Sequence, residues 1–322
     1  WFDSGSTHAF VLESEEWPDL RSPASLYLEG TDQHRGWFHS SLVEAAGTRG
    51  RAPYEAVLTH GFVMAEDGQK MSKSLNNQVF PQKVIDQFGA DILRLWVIGS
   101  DYSEDLRIGP EILKQHADVY RRLRNTLRFV MGNLNNFKSS EAISIEKMPE
   151  LERWVLHRIW ELDKLVRDSC ENFEFHTIYT EIHNFCAIDL SAFYLDIRKD
   201  CLYCDTADNM TRRASRTILN EIFKYLTAWC APFICFTAEE AWLAHFGNES
   251  TNNSVHLRKF PSPSNEWCDH TLFSKWTKIR TVRRVVTGAL EIERAEKRIG
   301  SSLEAHPTVY TTSENIDLFD KL

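Results

Sequence analysis

The sequence predicts an α/β segment followed by an all-α segment, and three observations carry that division. Two short apolar runs, 25–30 and 56–61, each end in a glycine and flank a stretch of helical spacing. From Glu111 onward apolar residues recur at helical spacing through long windows, with Pro149 and Pro232 as punctuation. Charge divides the same way. Residues 1–112 hold 9 Lys+Arg against 17 Asp+Glu, 113–260 hold 19 against 20, and 261–322 hold 9 against 9. The net charge of −9 therefore lies almost wholly in the first segment.

Each element follows in order. Residues 25–30 read as a strand, 36–46 as a helix with Trp37, Leu42, Val43 and Ala46 on its spacing, and 56–61 as a second buried strand running into a glycine-containing loop. Strand, helix and strand in that order imply a parallel sheet, which places ligands at the carboxyl ends of its strands. Pro81 opens a helix containing Val84, Ile85 and Phe88, with Gly89 as its C-cap. Residues 90–98 form another apolar helix, and 101–110 a polar turn region. Helices are then expected at 111–136, 151–171, 175–200, 209–230 and 237–246, which makes a helical bundle. Residues 247–265 are rich in Asn, Ser and Pro and read as a linker. A further amphipathic helix spans 272–299, and 306–312 reads as a strand. The domain boundaries predicted are 1–110, 111–260 and 261–322.

Composition fits a globular protein, with 43% hydrophobic and 26% charged residues among 322. No apolar run reaches the ~18 residues of a membrane span, and no signal-peptide pattern is present. Seven cysteines, an odd number without framework spacing, suggest reduced thiols in a cytoplasmic compartment. Cys201 and Cys204 form a single Cys-x-x-Cys pair, too little for a zinc framework, so no metal site is predicted. The chain opens Trp1-Phe2-Asp3 without an initiator Met and is expected to be a piece of a longer protein.

The loop after the second strand carries the chemistry: Gly68-Gln69-Lys70-Met71-Ser72-Lys73-Ser74-Leu75-Asn76. Two ammonium groups on a short mobile loop can stabilise charge that builds on a phosphate and a departing pyrophosphate, and do so most in the transition state. Gly68 lets the backbone bend, and small serines permit close approach to phosphate oxygens. By itself the pentapeptide reads equally as a solvated surface loop.

Lys-Met-Ser-Lys-Ser resembles the ATP loop of class I aminoacyl-tRNA synthetases, and other stretches extend the resemblance. These are Trp1-Phe2-Asp3-Ser4-Gly5-Ser6, Leu58-Thr59-His60-Gly61-Phe62, and Phe88-Gly89-Ala90-Asp91-Ile92-Leu93-Arg94-Leu95-Trp96. The stretch Leu28-Glu29-Gly30-Thr31-Asp32-Gln33-His34-Arg35-Gly36-Trp37-Phe38 is similar to the isoleucyl branch, where valyl and leucyl relatives carry different residues. The resemblance reaches to about residue 310. It implies the second half of a Rossmann-like class I catalytic domain followed by an anticodon-binding helical bundle and the start of a C-terminal junction domain.

Carried over by position, the resemblance gives Lys70 and Lys73 to the phosphates of ATP. Glu29, Gly30 and Asp32 would hold the adenylate ribose and aminoacyl linkage, and Gln33 the substrate amino end. His60, Val63 and Met64 would face the adenine or its ribose, and Trp1 and Trp37 would wall the isoleucine side-chain pocket. Each has a plainer reading: Trp1 and Trp37 as core aromatics, Glu29 and Asp32 as strand-end turn residues, His60 as a turn histidine. In the helical part, Arg121, Arg122, Arg124 and Arg128 are expected to bind tRNA, although Arg122 and Asp118 stand at i,i+4 and could merely pair. Further basic clusters are Arg212, Arg213 and Arg216, and Lys278, Arg280, Arg283 and Arg284.

The implied activity is ATP- and Mg2+-dependent activation of isoleucine and its transfer to tRNA(Ile), by a monomer. The family's first ATP motif, a His-x-Gly-His type turn, its editing insertion and its C-terminal zinc cysteines are not in these 322 residues. The expectation is therefore that this piece is inactive alone. Two alternatives stand beside it: a valyl or leucyl sister enzyme, and a non-catalytic tRNA-binding module with a partial nucleotide fold.

Overall fold

The computed structural model describes residues 1–247 and 252–312. The chain divides into two units: Trp1–Arg122 with Glu174–Thr180 and Phe233–Phe236, and Leu123–Phe173 with Glu181–Pro232 and the described residues from Thr237.

The first unit begins with a short helix α1 (Phe2–Gly5). Strand β1 (Tyr27–Gly30) leads through a 3-10 turn, Thr31–Arg35, into α2 (Trp37–Arg49) and then β2 (Val57–His60). The two strands pair in parallel from Tyr27↔Val57 to Gly30↔His60, as strand–helix–strand order requires. Helix α2 stops at Gly50, whose left-handed φ of 71° lets its N–H reach the Ala46 carbonyl at 3.1 Å.

The predicted sheet is divided, and the polar turn region contains a strand. β3 (Val63–Ala65) pairs in parallel with β4 (Leu106–Ile108), separately from β1 and β2. Three residues give alternation too little length to register, which is why Leu106-Arg107-Ile108 reads as turn. Between β2 and β3 the chain passes so close to its neighbour that a Cβ on Gly61 would stand 2.2 Å from the Glu104 carbonyl oxygen. Only glycine fits there. Helix α3 (Pro81–Phe88) starts on its proline and ends at Gly89, as predicted, and α4 (Ala90–Ile98) follows at once. Val84, Trp96, Ile108 and Leu113 form a core against which Met71, Phe88 and Leu93 pack. Leu113 lies in α5 (Pro110–Asn133).

The second unit is helical. α6 (Glu150–Glu171) and α9 (Met210–Cys230) bury Trp154, Leu156, Ile159, Ile218, Ile222, Phe223 and Trp229. The predicted helix 175–200 is α7 (Phe175–Asn184), a π-helical stretch Phe185–Tyr194, and α8 (Leu195–Cys204). That stretch brings Asp189 to Arg158 at 3.0 Å and to Arg280 at 2.7 Å. α10 (Cys235–Phe246) and α11 (His270–Ala295) complete the set. Residues 306–312, expected as a strand, run without strand pairing. Glu152 is wholly buried and fully answered: Arg198 at 2.7 and 2.8 Å, Tyr194 Oη at 3.2 Å and Ser215 Oγ at 3.1 Å. A buried carboxylate persists only with such a set of partners.

Candidate active site and nucleic-acid interface

The lysine loop is built from β3 outward. Gly68, with φ of 80°, makes the turn, and its N–H reaches the Ala65 carbonyl at 2.8 Å while Asp67 accepts the Gln69 N–H at 2.9 Å. Lys70 then bridges back to Met64. Met71 turns its side chain onto the core, and its sulfur accepts the Val79 N–H at 3.4 Å. Asn77 staples the loop across its base: its Oδ1 accepts the Ser72 N–H at 2.9 Å and its Nδ2 donates to the Lys70 carbonyl at 3.3 Å. Ser72 Oγ accepts the Leu75 N–H at 3.2 Å and lies 3.1 Å from Ser74 Oγ. With the backbone fixed from inside, Lys70 and Lys73 stand exposed, and neither makes an ion pair among the described residues. Two ammonium groups so placed on a pinned loop have the charge and reach that a polyanionic phosphate calls for.

At the carboxyl end of β1, Gly30, Asp32 and His60 are neighbours. A Cβ on Gly30 would lie 2.7 Å from Asp32 Oδ1 and 3.8 Å from His60 Cε1, so a side chain there would close this corner. His60 Nδ1 lies 2.8 Å from the Gly61 carbonyl, and Glu29 is exposed and makes no ion pair among the described residues. Gln33 is turned toward α2, where its Oε1 accepts the Trp37 N–H at 2.9 Å and its Nε2 donates to Asp32 at 3.2 Å. Trp37 stacks on Tyr27 with centroids 4.2 Å apart and donates from Nε1 to Thr7 Oγ1 at 3.1 Å. Trp1 is 74% exposed, its ring 3.1 Å from where a Gly36 Cβ would stand. Val63 and Met64 lie in β3, exposed and half-buried.

Sequence reasoning missed Asn77 and Glu66. Glu66 Oε1 accepts the N–H groups of Glu111 and Ile112, each at 3.1 Å, capping α5 from the root of the loop. No local pattern joins residues 45 positions apart.

The arginines sort into two kinds. Arg121 pairs with Asp118 at i,i+3 spacing on α5. Arg216 is buried against Glu141 and also donates to the Asn133 carbonyl at 3.1 Å, while Arg212 and Arg213 donate to the carbonyls of Leu202 and Glu141. Arg280 is held by Asp189, and Arg283 by Asp196 at 3.0 Å. These guanidiniums hold the fold together. Arg124 and Arg128 are exposed on α5 and make no ion pair among the described residues.

All seven cysteines are free thiols. Burial pushes the Cys186 thiol up to about 12. Among the described residues, His157, Glu161 and His270 bring three possible metal-ligating side chains together. They do not fit a cation: His157 Nδ1 accepts the Asp269 N–H at 2.9 Å, so its ring proton sits on Nε2, the atom 3.4 Å from Glu161. A metal would need that nitrogen bare and the other protonated against an N–H. No described helix is long and apolar enough to cross a membrane.

Comparison with known proteins finds two family matches along the chain. Residues 1–109 match the family described as tRNA synthetases class I (I, L, M and V), and residues 152–309 match the anticodon-binding domain of tRNA ligase. The chain is 55% identical over 317 residues to isoleucine–tRNA ligase of Brucella abortus, covering 98% of this chain and 32% of that protein. It is 56% identical over 309 residues to the enzyme of Mesorhizobium japonicum (96% and 30%) and 52% identical over 322 residues to that of Gluconobacter oxydans (100% and 33%). The chain thus spans about a third of the length of these curated relatives. A solved structure of an Agrobacterium radiobacter LeuRS in a ternary complex with tRNA and LeuAMS shares its fold at TM-score 0.64 and 18% identity, over 83% of this chain and 33% of that one.

Proposed function

Because this chain belongs to the class I tRNA synthetases, we propose that it supplies the lysine-loop part of the active site and the anticodon-binding helices of an isoleucine–tRNA ligase. The observation that carries this is the pinned loop presenting Lys70 and Lys73, which make no ion pair among the described residues, inside the segment that matches the catalytic family. The substrates are isoleucine, ATP with its Mg2+, and tRNA(Ile). An isoleucine carboxylate oxygen attacks the α-phosphorus, the bond to the bridging oxygen breaks, and pyrophosphate leaves with the electron pair. Lys70 and Lys73 stabilise the charge that gathers on the phosphate oxygens. A hydroxyl of the terminal adenosine of the tRNA then attacks the acyl carbon and AMP departs.

Around the adenylate, Gly30 leaves room beside Asp32 and His60, and Glu29 and Asp32 accept hydrogen bonds from ribose hydroxyls. Val63 and Met64 lie along the adenine, Gln33 meets the substrate amino end, and Trp1 and Trp37 face the isoleucine side chain. Aromatic walls favour the larger aliphatic group, but one methylene is worth only ~1–3 kcal/mol in such a pocket, and isoleucine against valine is the familiar example of that limit. The enzyme works as a cytoplasmic monomer.

Amino-acid-dependent exchange of pyrophosphate into ATP by the natural polypeptide that carries this sequence tests the proposal. Isoleucine should support exchange best. Preference for valine or leucine would make it a sister enzyme, and tRNA binding without exchange would make it a non-catalytic module.

A further inference from the structure

We propose that Thr7 is a positioning residue of the amino-acid pocket: it fixes the Trp37 wall relative to the Trp1 wall and so sets how well the pocket tells isoleucine from its isomer leucine. The proposal rests on the reading of Trp1 and Trp37 as walls of that pocket and names what holds them in place. The two walls come from separate stretches of the chain. Trp1 opens the first helical turn, its carbonyl accepting the Gly5 N–H at 2.8 Å, and Trp37 is the first residue of α2. They approach at Gly36, where an added Cβ would stand 3.1 Å from the Trp1 ring.

Trp37 is held from three sides. Its ring lies on that of the buried Tyr27, with centroids 4.2 Å apart and planes within 7° of parallel. Its backbone N–H goes to Gln33 Oε1 at 2.9 Å. These contacts fix the root of the side chain and the plane of the ring, but a flat stack leaves the indole free to slide and turn within that plane. The bond from Nε1 to Thr7 Oγ1, at 3.1 Å, removes that freedom. The hydroxyl is oriented to accept it. Thr7 Oγ1 donates its one proton to the Ser4 carbonyl at 3.1 Å, which leaves its lone pairs for the indole N–H. The stretch that carries Thr7 is anchored in turn. The buried His8 has its Nδ1 2.9 Å from the Gly5 carbonyl and 3.3 Å from Ser41 Oγ, and Ser41 Oγ lies 3.1 Å from Tyr27 Oη. Thr7 thus ties the Trp1 stretch to the Trp37 ring, while His8 ties it through Ser41 to the ring beneath. Isoleucine and leucine bury the same number of carbons, so apolar transfer separates them little. Only the branch position differs, and walls that do not move are what reject the wrong shape.

The test is pyrophosphate exchange by the natural polypeptide carrying this sequence, with isoleucine and with leucine. Thr7→Val keeps the side-chain shape and removes the acceptor, Thr7→Ala takes its place if the valine variant does not fold, and Thr7→Ser keeps the acceptor. Loss of one neutral hydrogen bond should raise the KM for isoleucine by roughly three- to tenfold. The kcat and the KM for ATP should hold, because the wall meets the side chain alike before and in the transition state. Preference for isoleucine over leucine should narrow, and Thr7→Ser should restore both. In Trp37→Phe, which has no indole N–H to give, Thr7→Val should add little further effect. An unchanged KM and preference in Thr7→Val overturns the proposal. So does a fall in kcat with both KM values unchanged, which is the mark of lost folded enzyme, and so does a Thr7→Val effect as large in Trp37→Phe as without it. Absence of isoleucine-dependent exchange in the unsubstituted polypeptide overturns the pocket reading and the proposal with it.

Discussion

Glu66 and Glu111 are joined across the root of the lysine loop: the Glu66 Oε1 accepts the Glu111 backbone N–H at 3.1 Å and takes that of Ile112 at the same distance. One carboxylate thus satisfies two of the orphan donors in the first turn of α5, where the helix dipole also favours negative charge. Gly109 makes room for it, since a Cβ there would lie 2.4 Å from the Glu66 side chain. Glu66→Ala should lower stability by about 1 kcal/mol, and Glu66→Gln by less, because the amide oxygen still accepts. Urea unfolding of both variants checks this, and equal losses would show that the cap is not the cause.

The buried Glu152–Arg198 pair should be the most sensitive polar contact in the helical unit. Removing one partner leaves a charge in the core, so Glu152→Ala is expected to cost about 3–5 kcal/mol. Replacing both residues with apolar ones of similar size should cost less than either single change. A double-mutant cycle on the unfolding free energy measures it.

Two glycines should respond in opposite directions. Gly61→Ala drives a methyl into the Glu104 carbonyl, 2.2 Å from the ideal Cβ, and should destabilise by about 1–3 kcal/mol. Gly47→Ala, in α2 with nothing within 4 Å, should stabilise by about 0.5–1 kcal/mol. Thermal melts of the two variants would place them on either side of the unsubstituted chain.

Acid should weaken the first unit through His116. Burial pushes this histidine below its ordinary 6.5, and Tyr179 Oη lies 3.1 Å from its Nδ1. Between the depressed folded value and 6.5 the unfolded chain binds a proton that the folded chain refuses. Stability therefore falls as pH drops through that window and is unaffected by His116 above it. His116→Gln should flatten part of this slope in denaturant midpoints measured across the window. An unchanged slope would remove His116 from the account.

Much of this was legible beforehand. Long helical windows gave α5, α6 and α9 within a few residues, because a continuous buried stripe repeats the signal over many turns. Pro81 and Gly89 marked α3 because one presets φ and the other accepts a positive one. The lysine pair was visible as a motif. Its anchors were not: the side chains of Asn77 and Met71 bond to backbone atoms of other residues, and Glu66 acts on a helix whose first turn lies 45 positions along the chain. The fate of the arginines was equally hidden. Arg128 and Arg216 look alike in sequence, and only packing shows that Arg216 meets Glu141 while Arg128 lines an open groove.

The most direct test of the central claim is isoleucine-dependent pyrophosphate exchange by the natural polypeptide carrying this sequence, with Lys73→Ala beside it. Isoleucine should drive exchange, and the substitution should lower kcat by roughly 10²–10³-fold while the KM for isoleucine holds, because the ammonium acts on charge that exists only in the transition state. Exchange that proceeds at the same kcat without the Lys73 ammonium would contradict it.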